Sequence, residues 1–424
     1  MSLKYWRKIR LKLQPLTVVH DVGNLRTIDL SESPYLTELP DLSMAKNLVS
    51  LILRDCPSLT EVPSSLQYLD RLEEVSLHRC NNLRRFPMLD SKVLRFLEIN
   101  RCLDVTKFPT ISQNMETLVL EHTSIKEVPQ LVLTGRLELL LLNGCSKMTK
   151  FPENLEDMKS LVSLSLCNTG IKEIPLSIKD MVCLRSLSLN GTPIKALPEL
   201  PPLLWCLRTQ DCASLETATA IINNDRLWHQ LDFTNCFKLD QKPLVAAMHL
   251  KIQSGEEMPD GRIQMVLPGS EIPEWFGDKG IGSSVTIHLP SNCHQLKGIA
   301  FCLVFLHPLP SHDVYDVNFD YHVKSKNGEN DGDDKVVFAS QKRHAPLFLL
   351  VTCVSDHMIL RYELGFVNRL RKYSGNEVTF KFNHHGVHSM VRKVGDEIRR
   401  PVELKSCGVY LHFDENLPAD TDLP

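Results

Sequence analysis

Apolar residues recur along the first half of the chain in one pattern, L-x-x-L-x-L, seen as Leu48, Leu51, Leu53 and again as Leu161, Leu164, Leu166. A second mark keeps step with it. A hydrophobic-proline pair ends at Pro40, Pro63, Pro87, Pro109, Pro129, Pro152, Pro175 and Pro198, at spacings of 23, 24, 22, 20, 23, 23 and 23 residues. The first apolar residue of each pattern lies 14 or 15 residues ahead of its proline. Apolar side chains alternating with polar ones over a few residues predict a short strand buried on one side. A strand returning at so regular a period predicts a solenoid, because no unit can bury its own apolar edge without neighbours.

The period and pattern are those of leucine-rich repeats. Starts fall at Leu25, Leu48, Leu72, Leu94, Met115, Leu137, Leu161, Leu184, Leu204 and, more loosely, Trp228, which makes about ten repeats. The expected fold is an α/β solenoid, a leucine-rich-repeat horseshoe with a parallel sheet, over residues 23–240. Three residues past the last strand leucine the turn takes a small side chain that bonds to backbone. Cys56, Cys80, Cys102, Cys145, Cys212 and Cys236 hold that place, and Thr123, Thr169 and Thr192 hold it in other units. These cysteines recur with the repeat instead of clustering, so they read as structural groups and not as a ligand set. Offsets of two, four and six from each start project to the concave side. Early units place Arg54, Glu74, His78, Phe96, Glu98, Asn100 and Glu121 there, aromatic and charged groups suited to holding a protein surface. Middle units change to Leu139, Leu141, Val162 and Cys167 near Ser163, Ser165, Ser186 and Ser188.

The rhythm loosens after Pro198, where Glu199-Leu200-Pro201-Pro202 interrupts it and Thr209 stands in a leucine position. Trp228, Leu231, Phe233 and Cys236 read as a terminal unit whose bulky rings seal the last apolar edge. Residues 1–22 read as a basic cap or partial repeat, with Lys4, Arg7, Lys8, Arg10 and Lys12 interleaved with Leu3, Trp6, Ile9, Leu11 and Leu13. Residues 241–261 are a linker containing a short helix around Pro243 to Leu250. From 262 to 415 the leucine period vanishes. Val285 to Leu289, Ile299 to Leu306, Val336 to Phe338, Phe348 to Val354, Glu377 to Phe382 and Gly408 to Phe413 predict an all-β sandwich, with 416–424 as a tail. Lys324 to Lys335 has no apolar residue to pack and reads as a mobile loop. In Pro268 to Phe276, Pro268-Gly269 marks a turn, Pro273 holds Ile272 extended, and Trp275 with Phe276 forms an apolar anchor, a structural join.

Composition narrows the function. The 424 residues are 43% hydrophobic, enough for two or three packed domains. Against 51 Asp and Glu stand 48 Lys and Arg, a formal charge of −3, so the bulk positive field of a nucleic-acid binder is missing. Apolar runs such as Gly298 to Leu306 are nine residues long, too short for a membrane helix. An odd 13 cysteines and no secretory signal at the start point to a reducing compartment. No G-x-x-x-x-G-K-[ST], G-x-G-x-x-G or G-x-S-x-G occurs, so no phosphate cradle or nucleophile elbow is in place. The cluster His384, His385 and His388 lacks an H-E-x-x-H helix or cysteine pair, and Asp331-Gly332-Asp333-Asp334 lacks the calcium-loop frame. Neighbours on a strand face opposite ways, so Ser355-Asp356-His357 is not a relay. The expectation is a binding protein without enzymatic activity, cofactor or metal.

Particular stretches carry a resemblance. S-L-T-E-V-P (58–63), S-I-K-E-V-P (124–129) and G-I-K-E-I-P (170–175), followed by P-G-S-E-I-P-E-W-F (268–276), resemble the C-terminal half of plant TIR-type nucleotide-binding leucine-rich-repeat (TIR-NBS-LRR) immune receptors. G-S-S-V-T-I-H-L-P (282–290), L-K-G-I-A-F-C-L-V-F (296–305), V-S-D-H-M-I-L-R-Y (354–362) and K-S-C-G-V-Y-L (405–411) extend the likeness over nearly the whole chain. The resemblance implies a jelly-roll/Ig-like domain after the repeats, both contacting a pathogen effector protein to trigger defence signalling, in the cytoplasm or the nucleus. It implies self-association only in a full-length receptor, whose TIR domain would cleave NAD and whose phosphate loop would bind ATP. Neither of those parts is in this sequence, which reads as a fragment, a truncated gene model or a short receptor. The other reading is a structural adaptor that binds host receptors or scaffolds.

Overall fold

The computed structural model describes residues 22–84, 86–87, 93–109, 112–129, 135–155, 158–255, 262–306, 315–324, 353–386, 400–401 and 404–414. The basic start, the polar loop past Lys324, Val336 to Phe338, most of Phe348 to Val354 and His388 lie outside the described residues. The chain divides into two compact units, Met1–Asn224 and Asp225–Pro424.

In the first unit the period-two pattern forms nine short strands: β1 (Thr27–Asp29), β2 (Ser50–Arg54), β3 (Glu74–His78), β4 (Phe96–Asn100), β5 (Thr117–Val119), β6 (Leu139–Leu141), β7 (Ser163–Ser165), β8 (Ser186–Ser188) and β9 (Cys206–Arg208). They pair in chain order as one parallel sheet. Leu48, Leu51 and Leu53 and their equivalents in the repeats that follow are buried, while Leu25, Ile28 and Leu30 of the first repeat are half-buried, so each unit closes the edge of the one before it. The expected leucine-rich-repeat solenoid with its parallel sheet is present as a β-solenoid. Among the described residues the regular pieces of the return limbs are 3-10 turns, Ser64–Tyr68 after Pro63, Leu176–Asp180 after Pro175 and Thr219–Ile221. Pro63 sets an extended backbone (φ −65°, ψ 140°), and only nine residues separate it from the next start at Leu72, too few for a stable α-helix.

Each strand ends in a residue of left-handed backbone: Glu32, Asp55, Arg79, Arg101, His122, Gly144, Asn168, Gly191, Asp211 and Asn235. For the non-glycine members this costs about 1 kcal/mol or more each. A backbone bond offsets it, since the N–H of Asp55 donates to His78 O at 2.7 Å and that of His122 to Asn143 O at 2.7 Å, one repeat further on.

The tenth turn, at Asn235, keeps the repeat's local form, but its strand does not join the solenoid sheet. Strand β10 (Leu231–Asp232) pairs in parallel with β11 (Arg262–Pro268), Leu231 opposite Met265, and Phe233 N–H donates to Val266 O at 3.0 Å. Six of the seven β11 residues are buried, a pattern that needs a neighbour on both sides. Trp228, Leu231 and Phe233 are buried and belong by sequence to the second unit.

That unit continues with β12 (Asp278–Ile281), β13 (Ser284–His288), β14 (Leu296–Phe305), β15 (Tyr315–Lys324), β16 (His357–Glu363), β17 (Glu377–Gly386), β18 (Arg400–Pro401) and β19 (Leu404–Phe413). One sheet runs β10-β11-β16-β14-β19-β12; the other runs β13-β17-β15 with β18 on β17. All pairs except β10–β11 are antiparallel. Phe301 and Phe305 of the first sheet and Phe319, Phe380 and Phe382 of the second share one core, the filling of a jelly-roll/Ig-like sandwich. Helix α1 (Lys242–Ser254) buries Leu244, Met248 and Ile252 at four-residue spacing and ends on left-handed Gly255.

Candidate protein-binding site

Parallel pairing sets equal offsets of successive repeats side by side, so residues some two dozen apart in sequence become neighbours. Ser50 stands beside Glu74, then Phe96, then Thr117; Ile52 beside Ser76, then Glu98, then Val119; Arg54 beside His78, then Asn100. Arg54 is exposed, and Glu74, His78, Phe96, Glu98, Asn100 and Glu121 are half-buried on the same face.

Side chains on this face are joined across repeats. Fully buried Ser76 donates to Glu98 Oε2 at 2.5 Å and accepts from Arg54 Nε at 3.2 Å. Arg54 Nη2 lies 3.6 Å from the same carboxylate, and His78 Nδ1 lies 3.9 Å from its other oxygen. Glu74 accepts from Ser50 Oγ at 2.8 Å. Asn100 Nδ2 donates to Glu121 Oε2 at 3.1 Å, and Asn143 Nδ2 donates to Glu121 Oε1 at 2.6 Å. Asn143 Oδ1 in turn accepts from Ser165 Oγ at 2.5 Å and from the Cys167 N–H at 3.0 Å. Asn100 Oδ1 is buried and has no donor. Half-buried Phe96, Leu139 and Leu141 form an apolar strip with Val119 beside this network, since Thr117 pairs with Leu139 and Val119 with Leu141.

Glu98 and Glu121 are thus held in place before any partner arrives, which lowers the ordering cost of binding. Ser76 and Asn143, which hold them, are not among the residues picked out from the sequence. They sit at offsets four and six of their repeats, so the same rule that selects Glu98 points to them. Val162 falls one position outside the rule, just ahead of β7, and is 40% exposed.

The six repeat cysteines are all buried and all 13 thiols are free. Sγ of Cys56, Cys80, Cys145 and Cys212 reaches the carbonyl of Leu30, Leu53, Leu120 and Leu189 at 3.3, 3.2, 2.9 and 3.2 Å, each in the preceding repeat. Cys102 lies 4.0 Å from Leu77 O, and Cys236 bonds within its own turn to Thr234 O at 3.7 Å. A hydrogen bond to the Cys102 thiol, more than burial, pushes Cys80 up to about 12.

In the second unit Phe276 is 1% exposed and Trp275 half-buried. Trp275 stacks on His249 of α1 at 4.6 Å and on Phe276 at 4.1 Å, with Tyr410 edge-on at 5.2 Å. Gly408 leaves the space, for a Cβ there would lie 2.9 Å from Ile272 and 3.3 Å from Phe276. Ser355-Asp356-His357 forms no relay: buried His357 Nδ1 donates to the Ser355 carbonyl at 2.7 Å, its Nε2 accepts the Asn235 N–H at 2.9 Å, and Asp356 pairs with Lys405 at 3.2 Å. His384 and His385 lie on β17, their side chains outside the described residues. Among the described residues no group of three His, Cys, Asp or Glu side chains could hold a metal ion. No helix among them is long and apolar enough to cross a membrane.

The sandwich, with its Trp275–Phe276 anchor, coincides with a known domain: residues 267–417 match the C-JID domain. The repeat and C-JID architecture is that of plant TIR-NBS-LRR disease resistance proteins. The disease resistance protein RML1B of Arabidopsis thaliana is 34% identical over 283 residues, covering 66% of this chain and 26% of the relative. The Arabidopsis protein SUPPRESSOR OF npr1-1, CONSTITUTIVE 1 is 33% identical over 462 residues, covering 89% of this chain and 30% of the relative. The chain therefore spans between a quarter and a third of the length of these two relatives. Among solved structures, the leucine-rich repeat domain of the type III effector XopL matches at a TM-score of 0.29 and 20% identity, covering 52% of this chain and 73% of that one.

Proposed function

We propose that this chain is the recognition module of an intracellular plant immune receptor and binds a pathogen effector protein through the concave face of its repeats and its C-terminal β-domain. The observation that carries the reading is the joined face from Arg54 to Cys167, where oriented carboxylates, a guanidinium and an imidazole border the strip of Phe96, Val119, Leu139 and Leu141. An apolar anchor ringed by fixed charges is the chemistry of a protein-binding hot spot. The orphan Asn100 Oδ1 adds an acceptor that a donor from a bound partner or a water would satisfy. Self-association and defence signalling belong, in this reading, to a receptor that also carries the domains its relatives have beyond the matched span, and its place is the cytoplasm or the nucleus.

The test is co-purification with candidate effectors, comparing the chain with a variant carrying Arg54→Ala, His78→Ala and Phe96→Ala together. Loss of capture by a folded variant supports the face. Capture that survives the triple change overturns the assignment. The same partners captured equally well from uninfected tissue would make the chain an adaptor for host receptors or scaffolds.

A further inference from the structure

A groove of about 1180 Å³ opens on the proline side of the early repeats, away from the strand face, with Asp41, Glu61, Tyr68, Phe86, Lys107 and Phe108 on its walls. Comparison of repeats shows what is unusual there. The residue ahead of the repeat proline is covered in the other repeats: Leu39 is 7% exposed, Val62, itself on the groove wall, 5%, Val128 5%, Phe151 9%, Ile174 6% and Leu197 5%. Phe86 and Phe108 are the two that stay half-open, and both line this groove. The unit ending at Pro87 has 24 residues and folds the turn Ser64–Tyr68 on its limb, while the units ending at Pro109 and Pro129 have 22 and 20.

The lining also says which ligand fits. Pro63, Pro87 and Pro109 have no N–H, so at these three positions the wall offers an added β-strand no backbone donor. A polyproline II segment makes no such demand, because its backbone stays solvated and its prolines pack against aromatic rings at low entropic cost. Charge fixes an orientation. Toward the first repeats stand exposed Glu61 and Asp41, whose carboxyl is held below its usual range by the Ser43 N–H and the Ser65 hydroxyl. Toward the later repeats stands exposed Lys107, while Arg84 pairs with Asp104 at 3.4 Å.

We propose that this groove is a second docking site, which takes an extended proline-containing protein segment in polyproline II form, its rings and prolines on Phe86 and Phe108 and a basic end group toward Asp41 and Glu61. The site is separate from the concave face and does not depend on it. Fluorescence anisotropy with the full chain tests it, using a labelled proline–leucine peptide ending in arginine and the same peptide ending in glutamate. The arginine peptide is expected to bind saturably and about tenfold more tightly than the glutamate peptide, the scale of one good contact. Glu61→Lys, a surface change that leaves the fold intact, should reverse the preference, and Phe108→Ser should remove binding of both. The Arg54, His78, Phe96 triple variant should bind the arginine peptide as the parent does, so failure of the effector reading leaves this one standing. No saturable binding, equal binding of the two peptides, or a preference unmoved by Glu61→Lys would each overturn the proposal.

Discussion

Thiols and glycines show how single positions are constrained. Repeat cysteines hold carbonyls that a larger group could not reach, and their surroundings suppress ionisation. Cys80 is pushed up to about 12, first by its bond to Cys102, and Cys56 is raised by its bond to Cys80 and by burial. Burial alone pushes Cys407 up to about 12. Only a thiolate reacts readily with an alkylating agent. Iodoacetamide at neutral pH should therefore modify Cys167, Cys183 and Cys206, the three partly exposed thiols of the 13, and reach the others only after denaturation, as intact-mass measurement would show. Gly298 is a constraint of a different kind. A Cβ there would collide with the Tyr362 ring and hydroxyl, which His412 Nδ1 holds at 2.7 Å. Gly298→Ala should lower stability by about 1–3 kcal/mol through overpacking, read as a shift of the urea midpoint at constant slope. An unchanged midpoint would mean the Tyr362 side chain has room to move.

At the level of elements, helix α1 and the Pro268 to Phe276 stretch are fastened by rings. Phe276, buried to 1% exposure, is the deeper anchor. Phe276→Ala should cost about 3–5 kcal/mol, and Trp275→Ala less because that ring is only half-buried; the reverse order in thermal melts would refute the assignment. Stacked on Trp275, His249 is held below the usual imidazole range by burial, so folding favours its neutral form. Its contribution is complete above the ordinary value of about 6.5 and fades as pH falls below it. The urea midpoint should drop between about pH 7.5 and about pH 5.5, and His249→Phe should lessen the drop. The element level is also where the sequence was most and least legible. Strands β1 to β9 were readable because one buried face repeats with a fixed period, and β13, β14, β17 and β19 because β-branched runs marked them. Strands β11, β12, β15, β16 and β18 escaped: β11 is buried almost throughout and shows no alternation, β12 holds a glycine and exposed Ile281, β15 mixes charges into its alternation, His357–Glu363 buries polar His357 and Glu363, and β18 is two residues long. On the candidate face, offsets located Glu98 and Glu121, but the bonds that orient them depend on Ser76 and Asn143, whose small polar side chains carry no signal until neighbours are in register.

For the molecule as a whole, the division after Asn224 assigns Trp228, Leu231 and Phe233 to the second unit, although their spacing follows the repeats. Local pattern set the turn at Asn235, while the unpaired side of β11 decided where the strand went. A fragment of residues 225–424 should accordingly be more stable than one of residues 241–424, by at least about 3 kcal/mol for the large side chains it keeps buried. Equal urea midpoints would place those residues outside the unit. Two compact units also predict denaturation in more than one transition, to be checked by comparing calorimetric with van't Hoff enthalpies. The left-handed turn that closes each strand has a further implication. From Glu32 to Gly191 its N–H finds its acceptor one step onward, although the units differ in length from 20 residues to 24. A junction so indifferent to the length between joints lets whole units be gained, lost or exchanged without a mismatch at the seam, and each such event would place a new set of outward side chains in line with the old.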